Sequence, residues 1–254
     1  MEYTPHELLT VITCRQMTGT HTVFAGVGIP LVAAVMAKAT HAPDLVIVVE
    51  GGSIGPEVIP GLLPISTNEM RIAHRAQMLA QITDIFLFAQ RGFLDLGIIG
   101  GAQIDRFGNV NTTVVGRYEA PKLRLPGSGG ANDIASLCRR LMLVTMHERR
   151  RFVPRVDFVT SPGYLDGEDS RRAAGLIFGE VTQVITDLGI FGFDETTRAM
   201  RLESLHPGIT VEDVRERTGF EILIPGHVPV TDPPTQAELE SVRRIDPDRR
   251  YLRA

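Results

Sequence analysis

Cysteine is scarce in this chain of 254 residues, which carries only Cys14 and Cys138. Two thiols cannot build a disulfide framework or a cysteine-rich zinc site. Both fall in apolar periodic segments, which makes them buried thiols of a reducing compartment. No apolar run approaches the roughly 20 residues that a membrane-spanning helix needs. The first residues, MEYTPHELLTVITCRQM, lack the basic start and apolar core of a signal peptide. A strong charge of either sign is missing too. The formal net charge of −4 gives no support for nucleic-acid or anionic-membrane binding. Internal repeats, low-complexity tracts and linkers are also absent. What is left is a soluble, cytoplasmic protein, 43% hydrophobic and long enough for one sizeable α/β domain or two small ones. With no linker in view, residues 1–254 are expected to form a single domain.

Strands and helices alternate through the first 150 or so residues. TPHELLTVITCRQM offers Thr4 as N-cap and Pro5 in the first turn of a helix. HTVFAGVG reads as a buried strand, IPLVAAVMAKAT as a helix opened by Pro30, and LVIVVE as a second buried strand. A Gly/Pro-rich loop from Gly51 to about Pro64 leads into a stretch expected to be mostly helical, from about Asn68 to Phe93. LDLGIIGGAQI is a further strand, and DRFGN a hairpin turn with Gly108 at a left-handed position. GANDIASLCRRL is helical, LMLVTM a strand and HERRRF a solvated link. Short strands dominate from Val156 to Leu202, VTQVITDLGIFGF being the clearest. TVEDVRERTGF is a helix with Thr210 and Asp213 at capping-box spacing, and TQAELESVRRI closes the chain as an amphipathic helix. The alternation predicts an α/β fold with a mainly parallel sheet and helices on both faces, an open three-layer arrangement.

One candidate site weakens on inspection. FAGVGIPL joins a strand to a helix through Gly26 and Gly28, and Glu50 lies 22 residues beyond Gly28. A dinucleotide-binding fold places its ribose acid at about that distance. The third glycine of that fingerprint would fall on Leu31, where a large side chain crowds the helix against the strand. A tight strand-to-helix turn explains the two glycines equally well.

Three other glycine clusters stand at strand ends or a helix start: Glu50-Gly51-Gly52, Gly100-Gly101-Ala102-Gln103 and Gly127-Ser128-Gly129-Gly130-Ala131-Asn132. In doubly wound sheets such loops build the ligand crevice. Glycine lets a substrate approach bare backbone, whose N–H groups can hold an oxyanion. Ordinary turn chemistry accounts for any one of these loops alone. A carboxylate among them has three possible jobs: base, ribose ligand or nucleophile. It can also be an exposed charge that merely ends a strand. As a nucleophile it would attack an activated acyl group to form a mixed anhydride, with water excluded and the oxyanion held by donors. Glycines beside it would clear space for a bulky acyl thioester.

The ordered set VVEGG, GGAQIDRFGNVNTT, PGSGGAND, HERRRF, DFVTSPGYLDG and HPGITVEDVRERTGF resembles the β subunit of family I coenzyme A transferases, in particular the glutaconate CoA-transferase type. The motifs run from about residue 20 to residue 220. The resemblance implies an α/β subunit that pairs with a related α subunit as a heterodimer or higher heteromer, with the active site at the junction. It places the catalytic glutamate of a Glu-x-Gly motif on Glu50, with Gly51 and Gly52. It implies an acyl-glutamyl anhydride followed by a glutamyl-CoA thioester. It also implies backbone donors at Gly129, Gly130 and Ala131, pocket-lining roles for Gly101 and Ala102, and a polar substrate or oxyanion contact for Gln103. No metal or prosthetic group is expected, coenzyme A being a substrate, and the substrate's distal carboxylate is expected to be read largely by the other subunit. A lone subunit holding half a site should expose an apolar patch where its partner docks. Two other readings stay open. One is a CoA-ester hydrolase, ring-opening enzyme or decarboxylase on the same scaffold; the other is a non-catalytic ligand- or dinucleotide-binding module.

Several residues carry less. His147 to Arg151 could meet the phosphates of coenzyme A, but charge runs are more often solvated or inter-subunit segments. His206-Pro207-Gly208 is a turn before a capped helix, without a partner at metal-ligand spacing. His41 suits a helix C-terminus, and Ser161 to Tyr164 could edge a pocket. Ser128 lacks the histidine that a nucleophilic serine elbow needs.

Overall fold

The Thr4 hydroxyl accepts the N–H of Glu7 at 3.1 Å, and the Glu7 carboxylate accepts the Thr4 N–H at 2.9 Å. This reciprocal cap opens helix α1, Pro5–Arg15, in a computed structural model that describes residues 2–253. After α1 come β1 (Thr22–Ala25), α2 (Ile29–Thr40), β2 (Val46–Val48), β3 (Ser53–Ile54), a 3₁₀ turn (Met70–Ala73), β4 (Met78–Leu79), α3 (Ile82–Gln90) and β5 (Leu96–Ile99). Tertiary contacts group the chain into two compact units, Met1–Ile98 with Pro233–Ala254, and Ile99–Asp232. The boundary falls inside β5, where no linker composition could mark it.

In the first unit the strands lie in the order β5-β1-β2-β3-β4. β1 pairs parallel with β2 and β5, whereas β2–β3 and β3–β4 are antiparallel. Val23, Phe24, Ala25, Ile47 and Val48 are buried, as a strand with both faces covered requires. Helix α7, Gln236–Ile245, returns to this unit under a second reciprocal cap, Thr235 with Glu238. It packs with α1 and α2, and Leu239, Val242, Leu9, Ile12 and Val32 of these helices are all fully buried. Two arginine–carboxylate forks fasten it to α1: Arg243 to Glu7 and Arg15 to Glu238, each closing at 2.7 Å. The Glu7 side chain is 1% exposed. The Arg243 hydrogen bonds hold its carboxyl below the usual range against the opposing effect of burial.

The second unit contains β6 (Gln103–Ile104), β7 (Val110–Asn111), β8 (Val114–Gly116), β9 (Pro121–Arg124), α4 (Ala131–Leu137), β10 (Arg140–Val144), α5 (Ser170–Ala173), β11 (Glu180–Ile185), β12 (Gly189–Phe193), β13 (Met200–Leu205) and α6 (Val211–Arg217). Its main strands run in the order β13-β12-β11-β10, with β10–β11 parallel and the rest antiparallel. β6–β7 and β8–β9 are separate hairpins. The open α/β class with parallel pairing around β1 is the one the alternation predicts. The antiparallel edges come from hairpins that the alternation did not separate from crossovers.

Two expectations change. The stretch 68–93 is helical only in the short 3₁₀ turn and in α3. Residues 78–79 instead pair with β3, and Ala80 donates to the Gly52 carbonyl at 2.9 Å. Tertiary pairing overrides helix propensity there. LDLGIIGGAQI is two strands, broken at Gly100-Gly101. Beyond the break β6 leaves the β1 neighbourhood and pairs with β7.

Candidate functional site

Glu50 stands at a hairpin tip. The Gly52 N–H donates to the Val49 carbonyl at 3.0 Å and the Val49 N–H to the Ser53 carbonyl at 3.1 Å, so Glu50 and Gly51 form the central pair of a tight turn between β2 and β3. β2 is a buried strand clamped by β1, which fixes the base of the turn. The carboxylate is half-buried, and among the described residues it accepts no hydrogen bond and meets no cation within ion-pair distance. It is held by backbone and left chemically uncommitted.

The glycines beside it answer to the chain itself. A Cβ on Gly51 would lie 2.2 Å from the Thr67 carbonyl oxygen and 2.7 Å from Asn68 Oδ1. Gly52 has φ +102°, and a Cβ there would lie 2.0 Å from the Ala80 carbonyl oxygen. Space for an acyl thioester was the expected reason for these glycines. That space is filled by the backbone of residues 67 and 80, so the glycines are explained by close packing. The Gly52 amide is spent on the turn, whereas among the described residues the Gly51 amide has no intramolecular acceptor.

The other two loops belong to the second unit, where strand β7 and the residues after it tie them together. The Ala102 N–H donates to the Asn111 carbonyl at 3.0 Å. The Gly127 N–H donates to the Thr112 carbonyl at 2.8 Å, and the Thr112 hydroxyl donates to the Gly127 carbonyl at 2.7 Å. Asn111, fully buried, donates from Nδ2 to Gln103 Oε1 and to the Val114 carbonyl, both at 2.6 Å. Its Oδ1 accepts the N–H groups of Thr113 and Val114. Thr160 closes the cluster by accepting the Thr112 N–H at 2.9 Å.

Gln103 is therefore not a free pocket-lining side chain. It is 6% exposed, its Oε1 accepts from Asn111 Nδ2 and from the Asp157 N–H at 3.1 Å, and its Nε2 donates to Asp157 Oδ2 at 3.0 Å. The expected substrate contact gives way to an internal bracket. The Ala102 and Ala131 amides are likewise engaged, the latter to the Ser128 carbonyl at 2.9 Å. Among the described residues, the N–H groups of Gly101, Gly129 and Gly130 keep no intramolecular acceptor. Gly129 has φ +48°, a conformation that favours glycine.

Asn111, Thr112 and Thr160 were missed as contributors. Asn111 and Thr112 lie in the polar run NVNTT and Thr160 in the distant DFVTSPG, and no spacing rule joins the two segments. Arg151, taken as part of a solvated link, donates its guanidinium to the Gly101 carbonyl. His147 of the same run is also no surface residue. It is 2% exposed, stacks on Phe152 with ring centroids 3.8 Å apart, and bonds Thr186 and Thr218 at 3.2 and 3.0 Å. Arg149 and Arg150 do remain at the surface. In the first unit, Tyr251 Cδ1 lies 3.9 Å from where a Cβ of Gly28 would stand.

Residues 15–217 match the family model described as Coenzyme A transferase, well over half of the chain. The chain belongs to the coenzyme A transferase family. It is 38% identical over 245 residues to a 3-oxoadipate CoA-transferase subunit of Pseudomonas knackmussii, covering 96% of this chain and 94% of that one. To a glutaconate CoA-transferase subunit of Acidaminococcus fermentans it is 37% identical over 258 residues, covering 98% and 95%. The crystal structure of glutaconate coenzyme A-transferase from that organism superposes with a TM-score of 0.93 at 36% identity, over 100% of this chain and 98% of that one. The decarboxylase AibA/AibB is also similar, with a TM-score of 0.84 at 29% identity over 98% of both chains. A coenzyme A transferase scaffold thus accommodates more than one reaction. No helix among the described residues is long and apolar enough to cross a membrane.

Proposed function

We propose that this chain is the β subunit of a heteromeric CoA transferase that moves coenzyme A between an acyl-CoA and a short mono- or dicarboxylic acid, with Glu50 as the nucleophile. The observation that carries the reading is a half-buried carboxylate on a rigid hairpin tip, without a hydrogen-bond or cation partner among the described residues. A carboxylate committed to a neighbouring arginine would be a poor nucleophile, and this one is not committed.

In the proposed sequence a Glu50 carboxylate oxygen attacks the thioester carbonyl. The C–S bond breaks, CoA leaves as thiolate, and an acyl-glutamyl anhydride remains. The thiolate then attacks the glutamyl carbonyl of that anhydride, releasing the first carboxylate and leaving a glutamyl-CoA thioester. The acceptor carboxylate repeats these steps in reverse and departs as the new thioester, restoring Glu50. Each step exchanges one acyl bond for another, so no cofactor is consumed and CoA enters as a substrate. The free amides of Gly101, Gly129 and Gly130 are the proposed backbone donors to substrate; Gly51 offers one more beside the nucleophile.

Borohydride added to enzyme incubated with acyl-CoA alone should reduce the glutamyl thioester, and the peptide containing Glu50 should then carry the corresponding alcohol. Glu50→Gln in the assembled complex should lose at least about 10³-fold in kcat with an unchanged melting temperature. Full activity in that variant would remove Glu50 from the chemistry. The likeness to AibA/AibB supports a second reading, decarboxylation on the same scaffold. Turnover of an acyl-CoA with release of carbon dioxide and no labelled Glu50 would select it.

A further inference from the structure

Between Asp105 and Asp133 the sequence holds four basic residues and a single acid, Glu119, although the net charge of the chain is −4. Three of the four, Arg117, Lys122 and Arg124, stand exposed on the β8–β9 hairpin. Among the described residues none of the three meets a carboxylate within ion-pair distance. Other surface arginines do: Arg75 pairs with Glu57, Arg150 with Glu148 and Arg215 with Glu212. The hairpin also presents an ordered aromatic face. The Tyr118 ring stacks on Phe158 with centroids 5.5 Å apart, and the Arg124 guanidinium stands 4.7 Å over Tyr118 while donating to its carbonyl at 3.1 Å. Tyr118 is nevertheless 52% exposed. An open aromatic face ringed by cations that lack counterions suits a ligand with a flat ring and anionic groups beside it.

The hairpin rises from the loops that keep unspent amides. The Leu125 N–H donates to the Thr113 carbonyl at 3.0 Å and the Gly127 N–H to the Thr112 carbonyl at 2.8 Å, so its stem runs unbroken into the Gly127–Gly130 loop. Ala102 bonds Asn111 at the same base. Asp157 fastens that base by accepting the Gly116 N–H at 2.9 Å and Gln103 Nε2 at 3.0 Å. Arg117 and Lys122 each stand five residues from the Thr112–Gly127 pair, about 17 Å along extended strands. A pantetheine arm has roughly the backbone length of four residues, about 14 Å when extended. A thioester at the Gly129 and Gly130 amides therefore brings the far end of coenzyme A to the cations of the hairpin.

We infer that the β8–β9 hairpin holds the nucleotide end of coenzyme A, with Arg117 and Lys122 on its phosphates and the adenine on Tyr118. The inference rests on the CoA reading given above and adds a subsite to it. The HERRRF run does not compete for this role. His147 is buried, Arg149 donates to the Glu216 carbonyl, Arg150 pairs with Glu148, and Arg151 turns to the Gly101 carbonyl. Charge-assisted contacts at the hairpin fix where the pantetheine arm starts. Binding energy gathered there, remote from the reacting atoms, then positions the thioester carbonyl at the base.

The test uses the chain assembled with its partner subunit and compares an acyl-CoA with the matching S-acyl pantetheine, which keeps the reacting end and lacks the nucleotide. Arg117→Ala/Lys122→Ala should lower kcat/KM for the acyl-CoA by at least roughly 30-fold and leave the value for the acyl-pantetheine at that of wild type. Tyr118→Ala should lower the acyl-CoA value by about 10-fold with the same selectivity. Binding of 3′-phospho-ADP alone, read by titration calorimetry, should weaken in step with the acyl-CoA value. Arg155→Ala/Arg172→Ala removes two exposed cations of the same unit outside the hairpin and should stay within about twofold of wild type. An equal loss with both substrates overturns the inference, because the hairpin then serves the fold or the assembly. So does an unchanged acyl-CoA value in the hairpin double variant. An equal loss from Arg155→Ala/Arg172→Ala overturns it too, since the effect is then one of overall charge. Glu50→Gln separates the two claims. If that variant is active while the contrast between substrates holds, the nucleophile falls and the hairpin stands. If it is inactive and the contrast is absent, the reverse holds.

Discussion

Gly52→Ala tests whether the glycines beside Glu50 serve the chain or the substrate. Two penalties meet at this position. The φ of +102° is one that L side chains rarely adopt, and the new Cβ would lie 2.0 Å from a backbone carbonyl oxygen that cannot rotate away. Backbone strain of this kind costs about 1–3 kcal/mol and overpacking about 1–3 kcal/mol. The alanine chain recovers up to about 1 kcal/mol through the narrower unfolded ensemble. The net expectation is a loss of about 1–6 kcal/mol. At ~2–4 °C per kcal/mol for a chain of this size, that lowers the melting temperature by roughly 2–24 °C. Three more glycines of the same unit separate the two contributions. Gly19 has φ +71° with nothing within 4 Å, so Gly19→Ala carries strain alone. Gly51→Ala carries the clash with Thr67 without a positive φ, and Gly26→Ala carries neither. Thermal melts of the isolated chain should rank them Gly52 lowest, Gly51 and Gly19 between, Gly26 at or above wild type. If Gly52→Ala melts with Gly19→Ala and its only defect is a raised KM for acyl-CoA, the space belongs to the substrate and the packing explanation is wrong.

Asn111→Asp keeps the shape of the hub but turns its Nδ2 donations to Gln103 and Val114 into oxygen–oxygen contacts. It should cost about 2–4 kcal/mol in urea unfolding. Amide exchange should rise at Ala102 and Gly127 together, because both bond to residues 111–112. Arg171, 6% exposed, donates to the carbonyls of Pro162, Gly163, Ala135 and Phe178. Arg171→Met should destabilise by about 3–5 kcal/mol, with Arg171→Lys recovering only part, since one ammonium cannot span four acceptors. Burial, aided by the Arg217 charge, pushes the His147 imidazole down to about 3. Between there and about 6.5 the unfolded chain binds a proton that the folded chain refuses. Stability is therefore complete above about pH 6.5 and declines as pH falls, by up to about 1.4 kcal/mol per unit. The urea midpoint should fall between pH 6.5 and pH 5, before carboxylates titrate, and His147→Gln should flatten that slope.

Much of the fold was legible because local rules agreed with it. Thr4 and Pro5 open α1, Thr210 with Asp213 caps α6, Gly108 takes φ +71° in the β6–β7 turn, and the apolar runs at 46–48 and 96–99 are strands, buried apart from the half-buried Val46. The stretch 68–93 misled because its apolar residues suit a helix, while its structure is decided by pairing to β3 and by two glycines that admit its backbone. His147 and Arg151 misled for a related reason. A charge run states nothing about which members turn inward, and here Thr186, Thr218 and the Gly101 carbonyl draw two of them in. The fork between Glu7 and Arg243 joins residues 236 positions apart, beyond any spacing rule.

The glycine clusters show where reading a site from sequence stops. A glycine at a strand end marks a place where a Cβ is not tolerated, and it does not say what stands in the way. At Gly51 and Gly52 the obstacle is the carbonyl of residue 67 or 80; at Gly101 it is Val110 Cγ1, 2.2 Å away. Gly127, with φ +97°, faces open space, so there conformation alone is the requirement. The same letter therefore does three jobs in one chain: admitting a neighbouring backbone, admitting a side chain, and turning the chain. What a ligand can use is the amide left over once these jobs are done. That makes the unspent N–H groups of Gly51, Gly101, Gly129 and Gly130 a narrower and more testable set than the glycines themselves.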